Sequence, residues 1–305
     1  MNMKKKDNVK RLLKDLRTLF KTTYEEWNLK DPFRQSAVIA YYAIFSIPGL
    51  LVLIVSITGY FYGSDVASEH IVSQISATMG TATAAQIKDM LTTVGQAHST
   101  IWATILGIAI LLVGATGVFV ELQKSLNQIW EVEVVIKKGV FLFIKARLFS
   151  FGLILAIAFL LLISLVVSSL LNAMSNWIMV STSSFLTDVF SIINFILSIV
   201  IISVLFGLMF KILPDAKIKW KHVWLGSLLT GVLFTLGKTA LAIYFGRVNP
   251  ISGYGAAGSV ILILLWVSYS SMILFFGAEF TAAYAKMYSG KVPPTAIAKV
   301  DMAPA

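Results

Sequence analysis

Six long runs of apolar residues, separated by shorter polar segments, set the pattern of this chain. Each run is close to uncharged and has about 20 residues or more, the length that a helix needs to cross roughly 30 Å of hydrocarbon. No stretch alternates apolar and polar positions as the strands of a membrane barrel do. The pattern therefore predicts an all-α fold, a polytopic membrane helical bundle with six transmembrane helices. The predicted spans are residues 37–62, 101–120, 148–171, 189–213, 223–246 and 259–285.

The segments outside this 37–285 transmembrane domain carry other patterns. In residues 1–36, apolar residues recur at helical spacing among lysines and arginines. This predicts an amphipathic helix that either lies in the inner headgroup layer or packs on the bundle as an ordinary cytoplasmic helix. Asp31-Pro32 is expected to end that helix before the first span. Residues 286–305 are predicted to be a disordered cytoplasmic tail.

Composition and charge support the membrane class and give it an orientation. Hydrophobic residues make up 57% and charged residues 13% of the chain, and the mean hydropathy is +0.83, whereas about a quarter of residues are charged in soluble domains. Of the 25 lysines and arginines, 22 fall at the two ends and in the second and fourth connections, and only 2 in the other connections. Cytoplasmic loops carry the excess of basic residues, so both termini are predicted to be cytoplasmic.

The net charge of +10 bears on partners. We attribute this charge to the basic residues of the cytoplasmic loops, which are expected to attract the anionic headgroups of membrane lipids at the cytoplasmic face. Nucleic-acid binding is not predicted. Cysteine is absent, which excludes disulfides and thiolate chemistry. The basic start has no apolar core directly after it, so the first span is expected to direct insertion without a cleavable signal peptide. The sequence leaves open whether the chain forms a homo-oligomer or binds an unidentified partner in the envelope.

Four sequence stretches carry a family resemblance. They are AYYAIFSIPGLLVLI in the first predicted span, GATGVFVELQKSLNQIWEV at the second, LPDAKIKWKHVWLGSLLTGVLF entering the fifth and YGAAGSVILILLWVSYSSMILFFGAEF in the sixth. In this order they resemble the YihY/BrkB family of inner-membrane proteins, historically labelled the ribonuclease BN family, over roughly residues 20–290. The resemblance implies a multi-pass protein of the bacterial cytoplasmic membrane. It also implies a role in envelope integrity, serum resistance or transport, without an established reaction.

Residues of the kind that hydrolytic enzymes use are few and scattered. Metal-assisted cleavage of a phosphodiester needs clustered His, Asp or Glu ligands, and His70, His98 and His222 have no second histidine or carboxylate at ligand spacing. No strand-turn-helix nucleophile elbow is present either. We therefore expect no catalytic residue, no metal, no cofactor and no enzymatic activity. Ribonuclease is the least favoured function.

Charged residues inside the predicted spans are the first candidates for function, because an ionisable group in a membrane marks either a functional site or a paired structural one. Glu279 lies toward the cytoplasmic end of the sixth span, on one helical stripe with Ser268. Glu121 directly follows the second span, at the cytoplasmic boundary and at a similar predicted depth, and Lys238 lies in the fifth span, where its long side chain can also snorkel. The two carboxylates either flank a cytoplasm-facing vestibule or form interfacial salt bridges. Candidate partners of Glu279 by depth are Lys124, Lys211 and Lys286.

Irregular backbone near the membrane supplies three more candidates. Asn249 and Tyr254 lie in GRVNPISGYGAAGS, which either lines a cavity, as broken helices of transporters do, or forms a tight external turn. Pro48 is expected to kink the first span, for packing or for gating. These features favour a transporter or exporter of a lipid-like or small solute, and without a nucleotide-binding P-loop it would have no ATPase of its own. The alternative is a non-transporting scaffold for envelope integrity.

Overall fold

The computed structural model describes most, but not all, of the chain. The described residues are 2–46, 101–134, 184–248, 258–290, 292–295 and 298–300, with isolated positions between 68 and 92. The third predicted span and the second half of the first lie outside them. Three of the candidate residues, Pro48, Asn249 and Tyr254, lie outside them as well.

Long helices account for nearly all of the described residues. They are α1 (Asn2–Leu29), α2 (residues 32–46), α3 (Ile101–Ile129), α4 (Ser184–Ile212), α5 (Trp220–Val248) and α6 (Gly258–Ser289). Among the described residues, three helices are long and apolar enough to cross a membrane, over Phe195–Ile212, Trp220–Leu241 and Val260–Ser289. The chain is therefore an all-α membrane protein, as its hydropathy pattern predicts.

The break between α1 and α2 falls where the sequence predicts it. Asp31 adopts a left-handed backbone with φ of 55°, and Pro32 opens α2, where its missing N–H leaves no hydrogen bond unmade. The Asp31 carbonyl accepts a hydrogen bond from the Gln35 N–H at 3.2 Å. This turn separates the N-terminal helix from the first predicted span.

The chain folds into two compact units that alternate along the sequence. The first unit consists of residues 1–30, 124–233 and 274–305, and the second consists of residues 31–123 and 234–273. Both units draw on α3, α5 and α6, because each of these helices runs from one unit into the other.

In the first unit, two glycine–threonine pairs bring α5 and α6 close together. A Cβ on Gly226 would overlap the side chain of Thr281, and a Cβ on Gly277 would overlap that of Thr230. Both threonine hydroxyls donate to a carbonyl of their own helix, at 2.6 and 2.7 Å. The sequence pattern G-x-x-x-T is the same in both helices, and small residues at such spacing let helices approach closely.

The C-terminal segment of the first unit is ordered where it is described, which corrects the prediction of a disordered tail for these residues. Strand β2 (Ala298–Val300) pairs antiparallel with β1 (Val132–Val134). Nearby, the Thr295 N–H donates to the Asp215 carbonyl at 2.9 Å, and the Lys217 N–H donates to Pro293 at 2.9 Å. These hydrogen bonds are non-local, so a sequence pattern gives no sign of them.

In the second unit, α2 and α3 meet at two glycines of α3. The ring of Tyr42 lies on Gly117, and Gly114 approaches the backbone of Ser46. Glu121 follows Gly117 by one helical turn.

Candidate functional site

Glu279 lies on α6 two residues from both Gly277 and Thr281. Since a helix turns about 100° per residue, its side chain leaves the helix on the side away from the contact with α5. That side faces α1, and Glu279 is 2% exposed. The carboxylate that the sequence places in an apolar helix is thus almost completely removed from solvent.

Lys30, in the turn that ends α1, is the partner of Glu279. The Lys30 Nζ donates to Glu279 Oε1 at 2.6 Å, and the two side chains are 10% and 3% exposed. The same Nζ lies 3.6 Å from Glu26 Oε2 and 3.5 Å from the carbonyl oxygen of Ile129. One ammonium group therefore lies between a buried carboxylate on α6 and a more exposed carboxylate on its own helix.

Aromatic and aliphatic side chains belong to the same contact between α1 and α6 as this ion pair. The rings of Trp27 and Phe276 meet edge to face with centroids 5.8 Å apart, and those of Phe20 and Phe280 lie 5.3 Å apart. Leu19 is packed against Phe280 as well. Such an environment screens charge poorly, so the attraction within the pair and the cost of leaving one partner alone are both larger than at a surface.

The observed partner differs from the three lysines that the sequence suggests. Lys286 instead pairs with Glu131, with Nζ and Oε1 2.6 Å apart, Lys211 donates to the Ile218 carbonyl, and Lys124 is exposed. A depth estimated from the predicted spans does not show which of the basic residues that flank them the fold brings to Glu279. Lys30 is 249 residues away along the chain and precedes the first predicted span.

The remaining described candidates belong to the second unit. Glu121 is one of the residues that line a groove of about 460 Å³; the others are Tyr42, Val113, Thr116, Gly117 and Val120. Lys238 and Ser268 are both partly exposed. Glu279 belongs to the first unit, and a vestibule shared by Glu121 and Glu279 stays a prediction.

A buried polar pair that the sequence analysis did not single out joins α3 to the loop between α4 and α5. Asn127 Nδ2 donates to Asp215 Oδ2 at 2.9 Å, and the Asp215 N–H donates to Asn127 Oδ1 at 2.7 Å. Both residues are less than a tenth exposed. Asn127 and Asp215 fall in two of the four stretches that carry the family resemblance. Their position in these stretches is the only sequence signal for the two residues, and it does not indicate that they contact each other.

The described residues also bear on metal binding. Among them, no group of three or more histidines, aspartates and glutamates is placed to hold a metal ion. His222 is buried, with Nε2 3.0 Å from the Ser289 hydroxyl. The two other histidines, His70 and His98, lie outside the described residues.

Comparison with known proteins gives a family and several relatives. The family model described as "Virulence factor BrkB" matches residues 23–299. A "UPF0761 membrane protein" of Verminephrobacter eiseniae is 28% identical over 185 residues, covering 60% of this chain and 42% of the relative. One from Vibrio cholerae El Tor is 28% identical over 182 residues, covering 59% and 58%. The chain thus spans about half the length of these relatives, and no solved structure matches it.

Proposed function

Because the chain belongs to the BrkB virulence-factor family of membrane proteins, we propose that it transports or exports a lipid-like or small solute across the bacterial cytoplasmic membrane. In this proposal it has six spans, cytoplasmic termini and no ATPase or other enzymatic activity of its own. Helix α1 then lies at the cytoplasmic interface. Its exposed Leu16 and Phe20 support that location, while its buried Leu19 packs on α6. In this location α1 would both lie in the headgroup layer and pack on the helical bundle, which are the two alternatives that the sequence leaves open.

The observation that carries the proposal is the position of Lys30 between Glu279 and Glu26. A buried ion pair is weak evidence for stability, because apolar residues of similar volume often serve as well or better. Ionisable residues within membrane helices mark ion and substrate pathways when they are not purely structural. Lys30 has two carboxylates within 4 Å. It therefore keeps Glu26 as a partner when a proton or a ligand occupies Glu279.

This arrangement suggests a two-state mechanism. When Glu279 takes up a proton, or binds a cationic part of the cargo, its negative charge is cancelled and the attraction to Lys30 falls. Lys30 then keeps Glu26, one helical turn earlier on α1, and the carbonyl of Ile129. The contact between α1 and α6 is weakened as a result. Occupancy of Glu279 would in this way be coupled to the position of the N-terminal helix.

The alternative is a non-transporting scaffold for envelope integrity, and two observations favour it. The Gly226–Thr281 and Gly277–Thr230 contacts hold α5 tightly on α6. Hydrogen bonds further tie residues 293–295 to Asp215 and Lys217, and residues 298–300 to β1. In a scaffold, the ion pair would be one more rigid connection, and its charge state would not matter for function.

Complementation, normalised to membrane abundance, distinguishes the two functions. Glu279→Gln keeps the shape of the side chain and removes its charge. In a strain that lacks the gene, the transport proposal predicts that this variant reaches the membrane and fails to restore tolerance of envelope stress. The matched control is Glu25→Gln, which removes an equal charge from the exposed Lys21–Glu25 pair on α1. Full complementation by Glu279→Gln at normal abundance would contradict transport through this site and favour the scaffold.

A further inference from the structure

The start of α5 carries a basic and aromatic surface, which we call the α5 entry surface: Lys217, Lys219, Trp220, Lys221 and Trp224. All five side chains are exposed, and the tryptophans are 44% and 51% exposed, with ring centroids 6.0 Å apart. Two large indole rings left open at the end of a membrane helix are typical of the membrane–water interface.

The inner side of the same segment is fixed, which holds the α5 entry surface outward. Ile218 and Val223 are 1% and 0% exposed, and His222 lies against Ser289 and the ring of Tyr284. The Lys217 N–H is bound by the Pro293 carbonyl. The lysines and tryptophans therefore extend from a rigid base.

Below the tryptophans, an apolar stripe continues along α5. Leu228 and Val232 follow Trp220 and Trp224 at intervals of four residues, so the four form a continuous stripe that winds around the helix by about 40° per step. Leu228 is 49% and Val232 is 37% exposed. An extended hydrocarbon chain can lie along this face from the aromatic rings toward the middle of the span.

No described carboxylate lies within ion-pair distance of these lysines. The first turn of α5 contains no acidic residue. Within the part of the chain that the structure describes, Lys217, Lys219 and Lys221 form no ion pair. The positive end of the helix dipole adds to their potential. Three cations beside two interfacial tryptophans and an apolar stripe match the parts of a phospholipid whose headgroup carries a net negative charge.

We propose that the α5 entry surface is a binding site for an anionic phospholipid. The phosphate and its net charge lie at Lys219 and Lys221, the glycerol region lies beside Trp220 and Trp224, and one acyl chain follows Leu228 and Val232. The site depends neither on transport nor on which membrane face the loop occupies. It requires only that α5 end at a headgroup layer.

Quenching of tryptophan fluorescence by brominated lipids tests the site. The full chain is reconstituted into phosphatidylcholine bilayers that contain brominated phosphatidylglycerol or, in parallel, brominated phosphatidylcholine. The wild type should be quenched selectively by the anionic lipid, and Trp220→Phe/Trp224→Phe should remove the selective part of the signal. Each lysine near an anionic surface contributes roughly a fivefold factor. Lys219→Gln/Lys221→Gln should therefore reduce the preference by about fivefold to thirtyfold, depending on how fully the two effects add.

Two control variants separate a site from general surface charge and from misfolding. Lys14→Gln/Lys124→Gln removes the same charge from exposed positions elsewhere and should keep the preference. Lys219→Arg/Lys221→Arg keeps the charge and should keep most of the preference for the anionic lipid. The proposal is overturned if the wild type shows no preference, if Lys219→Gln/Lys221→Gln retains it, or if the Lys14/Lys124 control loses it equally.

Discussion

Removing Lys30 and Glu279 separately and together is the sharpest perturbation of the buried ion pair. Lys30→Met leaves the Glu279 carboxylate, 3% exposed, without its ammonium partner. Glu279→Gln leaves Lys30 with Glu26 at 3.6 Å, a partner at the surface of the unit. The two single variants are therefore not equivalent, and the double variant leaves neither charge buried alone.

The structure sets the expected size of each effect. Breaking a buried pair by removing one partner costs about 3–5 kcal/mol, and we expect Lys30→Met in that range. Glu279→Gln should cost less, about 1–3 kcal/mol, because Glu26 still compensates Lys30. The double variant should cost less than the sum of the two, with a coupling of about 2 kcal/mol or more. The exposed pair Lys21–Glu25, with side chains 73% and 57% exposed, should be worth about 0.2–1 kcal/mol at most.

The assay is thermal unfolding of the purified variants in one detergent at one heating rate. At roughly 2 °C per kcal/mol for a chain of this size, Lys30→Met should lower Tm by about 6–10 °C and Lys21→Met by at most about 2 °C. Equal, small shifts for Lys30→Met and Lys21→Met would refute the reasoning. A double variant whose loss equals the sum of the single losses would show that the two charges do not interact.

Three further predictions follow from the packing and the charge pattern. Gly226→Ala places a methyl group against Thr281 and should cost about 1–3 kcal/mol of stability by overpacking, seen as a lower Tm. The control is Gly207→Ala, because the nearest neighbour of its new methyl group would be 3.4 Å away. It should leave Tm within about 1 °C or raise it. Asn127→Ala removes both hydrogen bonds to Asp215 and should cost about 2–4 kcal/mol; an unchanged Tm would contradict this. Reporter fusions after residues 85, 180 and 252 should read outside and those after 135, 217 and 300 inside, and one clear inversion would overturn the six-span topology.

Hydropathy and charge predicted the class of this protein because a membrane helix is a local property of the sequence. The helices Ser184–Ile212, Trp220–Val248 and Gly258–Ser289 are visible in the sequence as apolar runs, and the Asp31-Pro32 break is visible as turn chemistry. Glu279 was recognisable as unusual for the same reason, because one carboxylate among apolar neighbours violates a local rule.

What the sequence did not predict depends on contacts between distant segments. Lys30 looks like any basic residue that flanks a first span, and only the fold brings it to Glu279. Asn127 and Asp215 gave no sign of pairing, and the short strand at residues 298–300 acquires its structure from its partner β1. The repeated G-x-x-x-T of α5 and α6 was present in the sequence. Its role depends on the fold, which places Gly226 against Thr281.

The measurement that tests the central claim most directly is proton movement through the reconstituted protein. Proteoliposomes of native bacterial lipid, which supply lipid-like cargo, are given a pH gradient and a membrane potential, and an internal pH-sensitive dye is followed. Proton-coupled transport through Glu279 predicts that the wild type dissipates the gradient faster than protein-free liposomes, that Glu25→Gln matches the wild type, and that Glu279→Gln falls to the protein-free rate. A wild-type rate equal to that of protein-free liposomes, or a Glu279→Gln rate equal to that of the wild type, would contradict it.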